Sequence, residues 1–123
     1  MGFCTAINCM DGRTQLPVND YLRNLLGVDY VDTITEPGPV RILSEEPDGE
    51  AARSILSRID ISIHKHGSTC VALVAHDDCA GNPLPEAQQA EQLRQATEFL
   101  RSRYPAVRIL PIWVDATWTV RPA

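Results

Sequence analysis

Apolar residues recur along the chain in two alternating rhythms. Phe3 to Cys9 (FCTAINC) is short, mostly apolar and free of charge, the pattern of a buried strand, and Asp11-Gly12 stops it as a turn. Val18, Leu22, Leu25 and Leu26 then fall at helical spacing, with Pro17 suited to the first turn and Gly27 to the C-terminal stop. Tyr30 to Thr35 (YVDTIT) alternates and is β-branched, which predicts a second strand. Glu36-Pro37-Gly38-Pro39 breaks it, and Val40 to Leu43 reads as a short strand or a loop. Asp48 is the expected cap of the next helix, whose apolar face is Ala52, Ile55, Leu56, Ile59 and Ile63 and which Gly67 ends. Cys70 to Ala75 (CVALVA) is apolar throughout and gives the strongest strand signal. A loop, His76 to Pro83, follows. Pro85 opens a long helix to about Arg103, with Ala90, Leu93, Ala96, Thr97 and Leu100 facing inward. Val107 to Val114 is the last main strand, and Pro111 argues for a sheet edge or a bulge there. Trp118 and Val120 fall in a short terminal segment.

This alternation predicts an α/β fold, a mostly parallel sheet with helices on its faces. At 123 residues the chain has the size of one domain, residues 1–123. Apolar residues make up 44% and charged residues 22%, which excludes disordered, collagen-like and coiled-coil readings. No apolar run approaches the roughly 18 residues of a membrane helix. The start, MGFCTAINC, lacks the basic residues and long apolar stretch of a signal peptide, so the expected location is cytoplasmic, with no membrane partner. Net charge is −5, and Lys65 is the one lysine among eleven Lys and Arg, with no basic cluster; nucleic acid is therefore not an expected partner.

Four cysteines are too few for a disulfide scaffold, which turns attention to their placement. Cys9 ends the first predicted strand, and His76 and Cys79 follow the third. In parallel sheets ligands bind beyond the carboxyl ends of the strands, where the strand order reverses. If the first and third strands are neighbours, these three residues face one crevice. Two thiolates and an imidazole suit Zn²⁺, and three protein ligands leave a fourth position open. The competing reading of the same spacing is a pair of buried apolar thiols. Asp11 and Arg13 stand two apart, so that in an extended segment both side chains lie on one side and the Arg holds the carboxylate ionised. The alternative is a strand-end salt bridge without chemistry. Cys4 and Cys70 fall at the far ends of their strands, roughly 15 Å or more from such a site, and read as core thiols. His64 and His66 sit near a helix C-terminus as surface histidines or, less directly, as a proton shuttle. Asp77 and Asp78 are candidates to accept a hydrogen bond from a ligand or to cap the next helix. Trp113 and Trp118 read as core or interface aromatics.

With these residues in place a resemblance emerges. CMDGR is similar to the C-x-D-x-R motif of β-class carbonic anhydrases, and HDDC to their H-x-x-C motif, in the right order and followed by Gly81. The resemblance implies Zn²⁺ on Cys9, His76 and Cys79, with Asp11 and Arg13 as the catalytic dyad. It implies reversible hydration of CO2 to bicarbonate by zinc-bound hydroxide, with Asp11 orienting the hydroxide or closing the fourth position. The expected architecture is a three-layer sandwich whose four-stranded sheet runs in the order 2-1-3-4.

The chain also departs from the family pattern. Gly12 stands where the family usually has Ser, and Ala80 where a Gly often follows the second Cys. The chain is shorter than typical members, and no counterpart of their N-terminal helical arm is visible. These departures keep two alternatives in play: a hydrolase of a CO2 analogue such as carbonyl sulfide or carbon disulfide, and a zinc- or bicarbonate-binding module without turnover. A Cys-based phosphatase or arsenate reductase loop is discarded, because it needs a longer spacing than the three residues between Cys9 and Arg13. Resemblance and the apolar last strand together predict a homo-oligomer, a dimer or higher.

Overall fold

The computed structural model describes residues 2–123, and its strands and helices alternate as the periodicities require. β1 (Phe3–Cys9) leads through a 3-10 turn (Gly12–Thr14) into α1 (Gln15–Leu26); β2 (Tyr30–Glu36) is followed by α2 (Pro39–Glu45) and α3 (Glu50–His66). β3 (Cys70–His76), α4 (Glu86–Arg103), β4 (Arg108–Val114) and β5 (Val120–Pro122) complete the order. The sheet runs β2-β1-β3-β4-β5; the first four strands are parallel and β5 is antiparallel to β4. The expected order 2-1-3-4 is therefore present, extended by the short terminal segment. Among the described residues no helix is long and apolar enough to cross a membrane.

Side chains alternate across the sheet, and each face packs its own core. Ile7, Val71, Leu73, Ala75 and Trp113 meet the inward faces of α2, α3 and α4. Cys4, Ala6, Cys70, Ala72, Val74 and Ile112 meet Val18 and Leu22 of α1. This is the three-layer arrangement. β3 is buried at every position, as a strand covered on both faces should be. Gly27 and Gly67 end α1 and α3 in left-handed backbone, the conformation that stops a helix at low cost.

Several expectations are corrected. Val40 to Leu43 is neither strand nor loop but the middle of α2, with Pro39 in its first turn and Val40 and Leu43 buried; a helix of under two turns is too short to show its period. Asp48 does not cap α3. Gly49 holds that position, and the Asp48 carbonyl instead accepts a hydrogen bond from Arg53 Nη1 at 2.6 Å. Of the residues at helical spacing in α1, Val18 and Leu22 are buried and Leu25 is exposed. Ala90 is exposed and Gln89 is buried in its place, because the start of α4 abuts the end of β3, where the His76 and Leu84 carbonyls need donors. Pro111 causes no bulge, since β4 stays in register with β3 along its length. β5 pairs with β4 only beyond it, from Ile112 to Val114, so the missing Pro111 amide interrupts no ladder bond on that side.

Candidate metal centre

β1 and β3 are adjacent and parallel, so their carboxyl ends open on one crevice at the point where the strand order reverses. Cys9 ends β1, His76 ends β3, and Cys79 returns from the loop beyond. Their candidate ligand atoms lie within 4.8 Å of one another. The two sulfurs are 3.9 Å apart, and each of the three residues is at most 4% exposed. Two thiolates on a tetrahedral ion at about 2.3 Å stand about 3.8 Å apart, so the pair already has the separation that such an ion requires.

The imidazole is fixed in one sense. Its Nδ1 lies 2.7 Å from the Asp77 carbonyl, which can only accept, so Nδ1 carries the proton. Nε2 is buried beside the sulfurs and has no hydrogen-bond partner. A buried polar atom left unpaired is costly unless a cation or proton satisfies it. Burial opposes protonation of His76, yet the Cys9 sulfur, which would accept from Nε2 once that atom is protonated, and the Asp77 carbonyl outweigh it and hold the group above its ordinary range. Nε2 is thus a position for a proton or a metal.

The thiols share the same polarisation. A hydrogen bond from Cys79, helped by His76 and by the backbone amides of Gly38 and Asp11, brings Cys9 down to about 4 despite its burial. Cys79, which donates that bond and is itself buried, is pushed up. The pair therefore holds one proton between two sulfurs, and a dication would displace it. Amides of Gly81 and Asn82 also favour the Cys79 thiolate. The Cys79 loop reaches this place by lying against the Pro37-Gly38 turn. A Cβ on Gly81 would come within 2.5 Å of the Pro37 carbonyl carbon, so only glycine fits. The donor set, its spacing and the orphaned Nε2 together fit Zn²⁺.

Asp11 is turned toward Arg13 and is not among the clustered ligand atoms. Arg13 Nε donates to Asp11 Oδ1 and Oδ2 at 3.1 and 3.2 Å, and Nη2 donates to Oδ2 at 2.7 Å. The Arg13 amide donates to Oδ1 at 2.9 Å, capping the 3-10 turn. The guanidinium hydrogen bonds hold the Asp11 carboxyl at about 2, well below the usual carboxylate range. The same guanidinium reaches Asp78 and lies under the Trp118 ring.

Cys9, His76 and Cys79 are thus brought together, and Asp11 and Arg13 are paired beside them. Asp78 bonds Arg13 through its side chain, whereas Asp77 offers only its backbone carbonyl; neither caps α4, which Pro85 precedes. His66 is far from the cluster and bonds Asp32 at 2.6 Å. Cys4 and Cys70 are buried at the other end of the sheet. Sequence reasoning missed three supports. Gln15 Nε2 donates to the Cys9 carbonyl at 2.7 Å, Gln89 Nε2 donates to the His76 carbonyl at 3.0 Å, and Trp118 stacks on Arg13. Gln89 was visible in principle, as a polar residue four positions before Leu93 on an otherwise apolar stripe.

A family model described as "Putative carbonic anhydrase" matches residues 1–123. No curated protein sequence matches the chain. Among solved structures the fold is similar to a tetrameric β-carbonic anhydrase of the filamentous ascomycete Sordaria macrospora, with a TM-score of 0.55 and 12% identity over 97% of this chain and 79% of that one. It is also similar to the β-carbonic anhydrase CafA of Aspergillus fumigatus, with a TM-score of 0.54 and 14% identity over 98% and 74% of the two chains.

Proposed function

The chain belongs to the "Putative carbonic anhydrase" family, whose model spans it, and on that premise we propose a zinc-dependent hydratase that interconverts CO2 and bicarbonate. The observation that carries the reading is the orphaned Nε2 of His76 beside two sulfurs 3.9 Å apart, with an ionised carboxylate fixed next to them. Cys9, His76 and Cys79 hold the metal; zinc, when bound, supplies the Lewis acidity that makes water nucleophilic near neutral pH. The remaining work falls to the chain. The Asp77 carbonyl keeps His76 in the tautomer that presents Nε2. Two thiolates cancel the charge of a dication and temper its acidity. An ionised hydrogen-bond acceptor nearby is therefore useful, and Asp11 serves by accepting a proton-bearing bond from the attacking water and aiming its lone pair at the carbon of CO2. Arg13 keeps that carboxylate ionised and oriented. With its carboxylate bonded by Arg13, Asp11 would not compete with water for a metal held by Cys9, His76 and Cys79.

One observation favours a second reading, a zinc-binding module without turnover: the three ligand residues are almost closed to solvent, none more than 4% exposed. Met10, next to Asp11, and Leu16, at the start of α1, are exposed large apolar residues and support a homo-oligomer that covers this end of the sheet. Metal analysis of the purified protein with stopped-flow CO2 hydration tests all of this. Near one zinc per chain with turnover is expected. Asp11→Asn should keep the metal and lose about a hundredfold in rate; full activity in that variant would remove the dyad from the mechanism. One zinc without hydration selects the module, and a zinc-free protein sinks both readings. A monomer by light scattering at micromolar concentration refutes the oligomer.

A further inference from the structure

Among the described residues, two that are not glycine have left-handed backbone, Asp78 (φ 56°) and Trp118 (φ 60°), and both touch Arg13. Such conformations are unfavourable for a residue with a Cβ and persist where surrounding contacts hold them. Both converge on one side chain. Asp78 takes one edge of the guanidinium: Nη1 donates to its Oδ2 at 3.3 Å and Nη2 to its backbone carbonyl at 3.2 Å. Asp11 takes the other edge through Nε and Nη2. Trp118 covers the face, its ring centroid 4.2 Å from Cζ. Two aspartates therefore fix the planar group within its plane, and an indole fixes it from above.

The loop that presents Trp118 is itself tied down. Asp115 Oδ1 accepts from the Thr117 amide at 2.9 Å, the Thr117 hydroxyl at 2.8 Å and the Thr119 amide at 3.0 Å. The Trp118 amide donates to the Asp115 carbonyl at 2.9 Å, and the Asp115 amide to the Thr119 carbonyl at 3.0 Å. These bonds close the hairpin between β4 and β5. β4 ends at Val114, which pairs with His76, so the hairpin anchors Trp118 to the strand beside the cluster. The Trp118 and His76 rings are 6.2 Å apart.

We infer that Trp118 is a positioning residue for the Asp11–Arg13 pair: its indole holds the guanidinium in the orientation that keeps the Asp11 carboxylate turned toward Arg13. Its catalytic consequence rests on the role given to Asp11 above. Arg13 is 47% exposed at its side chain, so without the indole only bonds open to competition from water hold it.

The test is nitrogen-15 NMR of the intact protein, following the Arg13 Nε–H signal, which is assigned by its disappearance in Arg13→Lys. In Trp118→Leu the exchange of this proton with water should rise about fivefold, the scale of one partly exposed cation–π contact. Trp118→Phe, which keeps an aromatic face, should restore most of the protection. Hydration of CO2 should fall by a similar factor in Trp118→Leu, with zinc content unchanged, and recover in Trp118→Phe. Unaltered exchange in a folded Trp118→Leu protein overturns the inference. Should that variant fail to fold, Arg13→Lys gives the reciprocal reading. Loss of the flat cation should make Trp118 fluorescence more accessible to acrylamide against the constant signal of buried Trp113, and unchanged quenching overturns the inference equally. Proton exchange and fluorescence quenching involve neither zinc nor turnover, so a protein that does not hydrate CO2 removes the functional reading while the clamp stands or falls by itself.

Discussion

The two ends of the β1–β3 strand pair carry nearly the same reactive side chains and put them to opposite uses. At the carboxyl end stand Cys9, Cys79, His76 and Asp11; at the other stand Cys4, Cys70, His66 and Asp32. At the far end the polar atoms satisfy one another. Thr5 Oγ1 donates to Ser62 Oγ and Ser62 Oγ to Asp32 Oδ2, both at 2.7 Å; Ser62 and Ser68 share a bond of 2.7 Å; and His66 Nδ1 meets Asp32 at 2.6 Å with its ring stacked on Phe3. The cysteines there behave as apolar filler. Burial first, then the neighbouring Cys70 and Asp32, pushes Cys4 up to about 11, and burial likewise raises Cys70. At the carboxyl end one nitrogen is left without a partner, and amides and a thiol stabilise a thiolate beside it. Composition does not make a site. What makes one is an unsatisfied lone pair converging on a stabilised anion, and the loops at the carboxyl ends of parallel strands supply the amides for that.

Exchanging histidines breaks the comparison most directly. His76→Ala should loosen zinc by about a hundredfold or more, whereas His66→Ala should keep the metal and lower stability by only about 0.5–1 kcal/mol, since the contact with Asp32 is partly exposed and Asp32 keeps its bond from Ser62. Metal analysis after dialysis and urea unfolding measure the two effects, and equal zinc loss in both variants would erase the distinction. A smaller effect, about 2 kcal/mol or more of destabilisation, is expected from Gly81→Ala, since a Cβ there meets the Pro37 backbone at 2.5 Å. Gly12→Ala, with nothing within 4 Å of its Cβ, should stay within about 0.5 kcal/mol. The mildest contrast is in thiol reactivity of the metal-free protein. With Cys9 held at about 4, its rate toward an aromatic disulfide should be flat from about pH 6 to 9; Cys4, at about 11, is mostly protonated there, and its rate should climb about tenfold per pH unit. Peptide mapping by mass spectrometry reads both rates, and a Cys9 rate that rose with pH like that of Cys4 would contradict the polarised pair.

Much of the site was legible before the fold. The ends of β1 and β3 are marked by the change from uncharged apolar runs to Asp11-Gly12 and to His76-Asp77-Asp78, so Cys9, His76 and Cys79 could be placed at the carboxyl end of the sheet from the chain alone. Asp11 and Arg13 pair within one turn, a local event. The errors fell where a local signal is weak or tertiary surroundings override it. α2 is too short to declare a period, and the inward place of Gln89 depends on the two carbonyls it serves. The contacts of Arg13 with Asp78 and Trp118 join segments distant in the chain, and no spacing rule reaches them.

The sequence by itself determined the succession of strands and helices, the burial of β3 on both faces and the identity of the five residues at the carboxyl ends. Each of these follows from periodicity and turn chemistry acting over a few neighbours. Only the tertiary structure decided that two sulfurs seventy positions apart come within 3.9 Å, that one imidazole nitrogen is left without a partner, and that an indole closes over Arg13. Those outcomes depend on which strands lie side by side and how their loops pack, and a long-range contact leaves no periodic trace in the chain that makes it.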